Sequence, residues 1–504
     1  MAIASSAPGP DQPVRGAHSA MVLLFCINLF NYIDRQVLSA VLPRMRFDRT
    51  LFDPLDSNLQ FKLGLLTSAF LASYMIISPL VGWLDGRGVR RWMLLGIGVS
   101  LWSFASGSCG LVQGYAFLLV LRCCVGVGEG AYGPVASALL ADAYPVRQRG
   151  GIMALFNLAI PVGSALGFVL GGAIADYYGH WRPAFLMTFL GLGLGLWCLA
   201  KKELPRVTTS TGLAPSYRTV VSSLLKNRSF IACCIGMTAI TFVIGGVAAW
   251  APVYLFNREA RFQFSPQAFE KLSNAKNEPN RIALPEGLLG KLKALDTDRE
   301  WTESELREQT KSKFTKDEFS IYFETILDST TTPMSMTSGT ISFRFGLILA
   351  VGGLLSTLVG SWCGEWARKR LRGGYFWVIS LGVFLSVPFY VMFLVSPLPI
   401  GWVYLFIAIF GLFLHTGPAF TLLANVVTSP MRATAFALNI LVIHALGDVI
   451  SPPLMGLISD AANLQTAFLL LCIPMLIGGG VWLIGSRFLD ADTARSSRSD
   501  HLPA

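Results

Sequence analysis

Charge is scarce in this sequence. Only 14% of its 504 residues are Asp, Glu, Lys or Arg, against about a quarter in ordinary soluble domains, which argues against a large soluble enzyme. Histidine is scarcer still, at five residues, and no His-Glu-x-x-His, Gly-x-Ser-x-Gly or phosphate-loop pattern occurs. The commonest metalloprotease, serine-hydrolase and nucleotide-binding chemistries therefore lack their residues. All nine cysteines fall in apolar stretches without zinc-ligand spacing, so neither a disulfide framework nor a metal site is implied. Residues 1–16 are polar and rich in Pro and Gly, without the apolar core and cleavage site of a removable leader. The first apolar stretch is expected to serve as its own insertion signal.

What the chain has instead is hydrophobicity, at 53% of its residues, with a net charge of +10. A basic balance can indicate nucleic-acid binding, but the distribution argues otherwise. Residues 257–336 hold 12 basic and 14 acidic residues; the remainder has 28 basic against 16 acidic. A very apolar chain with its few charges biased to Lys and Arg is the composition of a multi-pass membrane protein, and no nucleic-acid partner is expected.

A membrane-crossing helix needs roughly 20 mostly apolar residues. Such stretches fall near 18–44, 60–83, 92–112, 115–140, 150–174 and 182–200, and again near 229–256, 338–364, 375–396, 401–426, 432–458 and 465–486. Twelve spans put both termini on one side. Breaks after even-numbered spans carry Arg87, Arg90 and Arg91, Arg147 and Arg149, Lys201, Lys202 and Arg206, and Arg368 to Arg372, whereas those around Gly114 and 397–401 carry no basic residue. The termini are accordingly expected in the cytoplasm. The break with Arg44, Arg46 and Arg49 goes against the rule, although Asp48, Asp53 and Asp56 accompany it.

The chain also repeats itself. Gly82-x3-Gly86-x3-Arg90-Arg91 recurs 278 residues later as Gly360-x3-Gly364-x3-Arg368-Lys369, and Leu139-Leu140-Ala141-Asp142 with Arg149 recurs 283 later as Leu422-Leu423-Ala424-Asn425 with Arg432. The first and seventh spans begin only about 211 residues apart, which locates an insertion after the seventh. Duplicated halves are a hallmark of transporters. The expected organisation is a tail over 1–17, a six-helix bundle over 18–200, a cytoplasmic linker over 201–228, helix 7 over 229–256, the polar insertion over 257–336, helices 8–12 over 337–487 and a tail over 488–504. Thr302-x-x-Glu305 and Thr315-x-x-Glu318 read as capping boxes, and Leu288, Leu289, Leu292 and Leu295 form an apolar stripe. The insertion is expected to be a few short amphipathic helices on the non-cytoplasmic side, either an appended subdomain or a lid.

Function is sought among charges inside the spans, since each costs at least ~2.5 kcal/mol in hydrocarbon. Asp34 and Arg35 lie in the first span, Arg122 and Glu129 in the fourth. Glu129 falls near the middle of its helix. Arg122, two turns away and about 10 Å along the axis, is far for direct contact, so a third group between them is expected. Asp34 is expected to meet Arg122 or Glu129 across a central cavity, either as a proton-exchanging carboxylate or as part of a static ion pair. Arg35, placed toward the outer end of its helix, has the alternative of extending to the interface. In the eleventh span His444 and Asp448, four residues apart before Pro452-Pro453, form a second candidate proton site or a packing pair; His415 has weaker support. Gly163-x3-Gly167-x3-Gly171 offers a smooth face for close and sliding helix contact, and the segment containing Gly82, Asp85, Arg87, Arg90 and Arg91, with Arg368 in the repeat, suggests a cytoplasmic gate. Gly128-x-Gly130-x-x-Gly133 matches a dinucleotide fingerprint by letters, but it follows no strand.

These residues also carry a family resemblance. Asn31-Tyr32-Ile33-Asp34-Arg35, Arg122-x3-Gly126-x-Gly128-Glu129 continuing to Ala141-Asp142, Ile160-Pro161-Val162-Gly163-Ser164, Trp250-Ala251-Pro252 and His444-Ala445-Leu446-Gly447-Asp448-x-x-Ser451-Pro452 resemble the Spinster family of the major facilitator superfamily. The resemblance covers both halves but not the insertion. It implies an all-α membrane protein of twelve transmembrane helices in two six-helix pseudo-repeats, transporting lysophospholipid, sphingosine or sphingosine 1-phosphate with protons, without cofactor, as a monomer in the cell membrane. Asp34, Arg122 and Glu129 match the family's cavity charges. Proton coupling is expected at Asp34 and Glu129, and substrate contact at Arg122, Asp34, Arg35, Asn31, Trp250 and Tyr254. The first-half motifs equally suit the superfamily's organic-anion symporters; a membrane-embedded lipid-modifying enzyme is a remote alternative. One departure stands out: Asp85-Gly86-Arg87 replaces the superfamily's Gly-Asp-Arg, displacing the acid by one residue.

Overall fold

A computed structural model describes residues 13–53, 58–205, 217–259, 261–274, 283–297, 299–330, 338–428 and 431–500. The first twelve residues of the N-terminal tail, Arg206 of the linker and residues 501–504 lie outside the described residues. Among the described residues, twelve helices are long and apolar enough to cross a membrane. In order they are span 1 (Ala17–Met45), span 2 (Leu59–Gly86), span 3 (Arg91–Cys109), span 4 (Tyr115–Ala143), span 5 (Gly151–Tyr178) and span 6 (Arg182–Ala200), then span 7 (Arg228–Glu259), span 8 (Gly339–Arg368), span 9 (Gly374–Val395), span 10 (Leu398–Asn425), span 11 (Thr434–Ala461) and span 12 (Leu464–Gly485). Among the described residues no sheet forms; Phe262 and Trp301 make one isolated antiparallel bridge.

Four spans carry local interruptions, span 12 among them at Leu471. Span 6 passes through a 3-10 turn at Met187–Leu190, span 10 breaks at His415, and span 11 widens into a π turn at His444–Asp448 just before Pro452. Each half packs by bringing backbones together at glycines. A Cβ on Gly163 or Gly167 would run into the span 1 carbonyls of Leu29 or Ile33, and one on Gly171 into Val37 and Ala40. The small-residue face of span 5 therefore packs inside the N-terminal half. Its expected role in sliding is corrected to this extent: the contact of span 5 with the other half is made by neighbouring residues, with Ala165 and Phe168 against Gly346 and Phe345 of span 8.

Among the described residues, spans 2 and 11 and spans 5 and 8 bring the two halves together. We call the side away from the termini distal. Gly64 meets the Pro452 backbone, Gly456 meets Gln60 and Phe61, and the Ser68 hydroxyl donates to the Val449 carbonyl. The amide of Gly339 donates to Asp176, and Phe168 packs edge-on to Phe345 at 5.1 Å. Every one of these residues lies in the distal half of its span. The halves are thus joined distally, and the central interface is closed on that side.

The insertion is also distal. It holds helices Pro266–Ser273, Glu286–Lys293, Glu303–Lys313 and Lys316–Thr330 around a core that includes Phe262, Leu288, Leu292, Trp301, Leu306 and Phe323. Both capping boxes form: Thr302 and Glu305 exchange bonds, as do Thr315 and Glu318. The Thr302 amide and hydroxyl hold the Glu305 carboxyl below its usual range. Phe256 of span 7 packs on this core, and so does Phe47 from the connection between spans 1 and 2. The Arg49 guanidinium donates to the Ile321 carbonyl at 3.1 Å and to the Thr325 hydroxyl, so the insertion touches both halves. Nearby, burial would raise the Asp48 carboxyl, but bonds from Thr50 and Trp181 and the charge of Arg182 outweigh it and hold it low.

Gly167→Ala is expected to lower the thermal midpoint of the purified protein by several degrees, because the added methyl meets backbone. Gly193, with open space around it, gives the control: Gly193→Ala is expected to be neutral or stabilising. Equal midpoints for the two variants would contradict this packing.

Candidate functional site

Asp34 and Arg35 are consecutive on span 1, so their side chains leave the helix about 100° apart. Asp34 turns toward span 3. It is fully buried, and its Oδ1 accepts from the Ser106 hydroxyl. Arg35 turns toward spans 2 and 4, where its Nη2 and Nε donate to Glu129 Oε2 at 2.7 and 3.2 Å. The expectation that Arg35 could extend to the interface is corrected: opposite a carboxylate that is 1% exposed, its charge is worth more inside. Arg35 is also the partner sought for Glu129, in place of an intervening group between Arg122 and Glu129.

An aromatic cage completes the arginine's surroundings. The Arg35 guanidinium lies 4.9 Å from the Tyr32 ring centre, 5.1 Å from Phe70 and 5.4 Å from Tyr74, within the range of cation–π attraction. Arg122 approaches the same Phe70 ring at 5.2 Å, so the phenyl stands between two cations. Arg122 is 1% exposed, and its Nε and Nη1 find no hydrogen-bond partner. Asp34 Oδ2, Glu129 Oε1 and Asn31 Nδ2 are likewise unpartnered. Buried polar atoms normally have partners, so this cluster retains capacity for a ligand, a proton or water.

The glycines of span 4 make the arrangement fit. A Cβ on Gly126 would strike the Phe70 carbonyl and Ser73, one on Gly128 would strike Trp102, and one on Gly130 would approach the Tyr74 carbonyl. The apparent dinucleotide fingerprint is thus a close-packing series that lets span 4 lie on spans 2 and 3.

The remaining sequence candidates lie elsewhere. Trp250 is fully buried and donates to the Pro452 carbonyl at 2.9 Å. Tyr254 stacks on Phe468 at 4.5 Å and donates to the Leu394 carbonyl. The structure therefore uses both to pack the C-terminal half and does not bring them to the charge cluster. His444 Nδ1 lies 2.9 Å from Asp448 Oδ2 within the π turn, a feature often found at functional positions. His415 is buried, stacks on Trp482 and contacts the Leu412 carbonyl through Nδ1.

At the terminal side Arg91 grips both Asp85 oxygens at 2.8 and 3.1 Å and Asp142 at 2.7 Å, while its amide donates to Glu203. Gly88, at φ +86°, supplies the left-handed turn that folds this loop back. The displaced acid thus still joins spans 2, 3 and 4, all within one half. Arg87 stacks on Trp83 at 3.8 Å, Arg90 and Gly82 are exposed, and Arg368 pairs with Glu365. Among the described residues no group of three metal-ligating side chains gathers. Sequence reasoning missed Ser106 and the Phe70–Tyr74 pair; the i, i+4 aromatic spacing on span 2 was the available signal for the latter.

Arg35→Gln leaves Glu129 buried without its counter-ion and is expected to destabilise the protein by about 3 kcal/mol. The Arg35→Gln/Glu129→Gln double variant removes the orphaned charge, and much of that loss should return in thermal unfolding. A double variant at least as unstable as the sum of the singles would contradict the pairing.

Comparison with known proteins agrees with this architecture. The Major Facilitator Superfamily profile matches residues 24–270. Human protein spinster homolog 1 is 28% identical over 509 residues, covering 95% of this chain and 83% of its own length; its Xenopus tropicalis counterpart is 29% identical over 512 residues, covering 96% and 83%. Among solved structures, a bacterial homolog to the human lysosomal transporter Spinster, in an inward-facing, unoccupied conformation, superposes with a TM-score of 0.67 at 17% identity, over 97% of this chain and 99% of that one. A D-xylose-proton symporter gives 0.60 at 16% identity, over 94% and 97%. The chain is thus similar over nearly its whole length to the Spinster proteins, and it has the all-α, twelve-span fold of these solved transporters, in two helical bundles.

Proposed function

We propose that this protein is a proton-coupled, alternating-access carrier of amphipathic lipids of the lysophospholipid, sphingosine or sphingosine 1-phosphate type. The observation that carries this reading is the buried set of Arg35, Glu129 and Arg122: one cation held by a carboxylate, and a second whose Nε and Nη1 have no acceptor. The lipid class is what the resemblance to the Spinster family implies, and similarity to the spinster homologs supports that resemblance.

In this mechanism Glu129 and an anionic head group compete for Arg35. A proton on Glu129 removes its charge and frees the guanidinium for the head; a bound anion makes that proton easier to hold. The two ligands therefore favour one another, and by linkage each raises the other's affinity by the same factor. Arg35, 22% exposed, meets the head first, and Arg122 engages it once Phe70 moves aside. Asp34, held by Ser106, is the second protonatable carboxyl, with His444 and Asp448 as a further proton site in the other half. Asn31 supplies a neutral donor; Trp250 and Tyr254 shape the wall opposite from behind the surface. The termini are cytoplasmic and the insertion lies outside, in the cell membrane. The Arg91 network stiffens the cytoplasmic end of the N-terminal half as it rocks.

In liposomes, a labelled lysolipid phosphate should move faster down an imposed proton gradient while a small sugar acid does not. Glu129→Gln mimics the protonated state and should remove the pH dependence. Proton-driven transport unchanged in that variant would sink the coupling role, and sugar-acid movement without lipid movement would make the protein an organic-anion symporter. Arg122→Ala should weaken binding of a phosphate-bearing head at least tenfold and a charge-neutral head much less. Equal losses would assign Arg122 to structure.

A further inference from the structure

The distal closure contains two carboxylates that do the same job at related positions. Asp176, in the last turn of span 5, accepts from the Gly339 amide at 2.6 Å, at the N-terminus of span 8. Asp460, in the last turn of span 11, accepts from the Gln60 and Phe61 amides at 3.0 and 2.8 Å, at the N-terminus of span 2. The two acids are 284 residues apart and the capped positions Gln60 and Gly339 are 279 apart. These separations agree to within one residue with the shifts of 283 and 278 that relate the halves in sequence. The contacts are thus pseudo-symmetric copies, each running from one half to the other.

Their placement costs something unless the halves are together. A carboxylate in the last turn of a helix sits at the negative end of its own macrodipole, whereas the N-terminus of another helix presents free amides and the positive end. Asp176 is further held by Arg44 of span 1 at 2.8 Å. Around each cap the backbones touch directly: Gly64 on Pro452 and Gly456 on Gln60 on one side, Gly346 on Ala165 on the other. Distal opening must separate these surfaces and so break both caps at once.

We propose that Asp176 and Asp460 are paired distal latches, each capping a helix of the opposite half and together biasing the carrier toward its distally closed state. The proposal rests on alternating access alone, independent of substrate and proton coupling. Loss of one cap should shift the equilibrium toward distal opening by about fivefold to tenfold, and loss of both by the product, since the caps lie on separate helix pairs.

The test is amide hydrogen exchange on the full-length protein in lipid nanodiscs, comparing Asp176→Ala, Asp460→Ala, the double variant and the parent. A latch predicts faster exchange at the capped amides and also at buried distal amides that make no cap bond, those of Gly64, Leu66, Ser68, Ser451, Met455 and Gly456, together with slower exchange at the terminal ends of the spans. It further predicts that Asp460→Ala accelerates exchange in span 5 and span 8, which carry the other cap. Asn at either position, keeping an acceptor but no charge, should give an intermediate effect. Faster exchange confined to Gln60, Phe61 and Gly339 would overturn the proposal and leave the two acids as local caps. If the double variant does not fold, the two single variants carry the same test through the cross-effect between helix pairs. Unchanged transport in the Glu129→Gln background has no bearing on this outcome, so the latch and the coupling mechanism fail separately.

Discussion

A charge buried among membrane helices needs a counter-charge, and the pairing of Arg35 with Glu129 is the constraint on which this structure turns. It fixes the rotation of span 1, since Arg35 must face span 4 while Asp34 faces Ser106 of span 3. It fixes the separation of spans 2 and 4, because the aromatic cage from Phe70 and Tyr74 closes over the guanidinium only if Gly126 and Gly130 admit their backbones. Beside this pair, Asp34 Oδ2, Glu129 Oε1, Asn31 Nδ2 and two nitrogens of Arg122 are buried without a hydrogen-bond partner. A static ion pair has no use for such a surplus; a site that exchanges partners does.

The second organising feature is duplication. Polar ties within a half, such as Arg91 to Asp85 and Asp142, bind its spans to one another. The ties between halves described above are distal and include glycine-backed contacts, the Ser68–Val449 bond, the Phe168–Phe345 contact and two helix caps. Rigid halves with a small, divisible interface suit rocking motion about a central site. The insertion adds to the distal side, taking Phe47 and Arg49 from one half and Phe256 from the other.

Much of this was legible in the sequence for plain physical reasons. Apolar runs of membrane length give the twelve spans, because a helix in lipid must satisfy its own backbone. The repeated Gly and Arg spacings give the duplication, and Thr302 and Thr315 mark two helix starts because a capping box is a local device. Asp34, Arg35, Arg122 and Glu129 stood out by their cost in hydrocarbon. Their pairing was not legible, since it depends on the relative rotation of spans 1 and 4, which one helix's periodicity does not encode. Ser106 was hidden for the same reason, as one serine among several on span 3. Gly163, Gly167 and Gly171 announced close packing but not its partner, and span 1 rather than the opposite half took that role. Trp250, in the Trp250-Ala251-Pro252 run, and Tyr254 were expected to contact substrate, yet their polar ends are bonded to backbone within their own half. Asp176 and Asp460 become meaningful only once two helix ends are seen to meet.

The central claim is that an anionic lipid head and a proton enter this site together through Arg35 and Glu129. It is tested most directly by loading liposomes with a pH-sensitive dye and adding a lysolipid phosphate outside, with no gradient imposed. The account predicts proton movement that starts with the lipid, scales with its transport and is absent in Glu129→Gln. Lipid movement with no accompanying change in internal pH would contradict it.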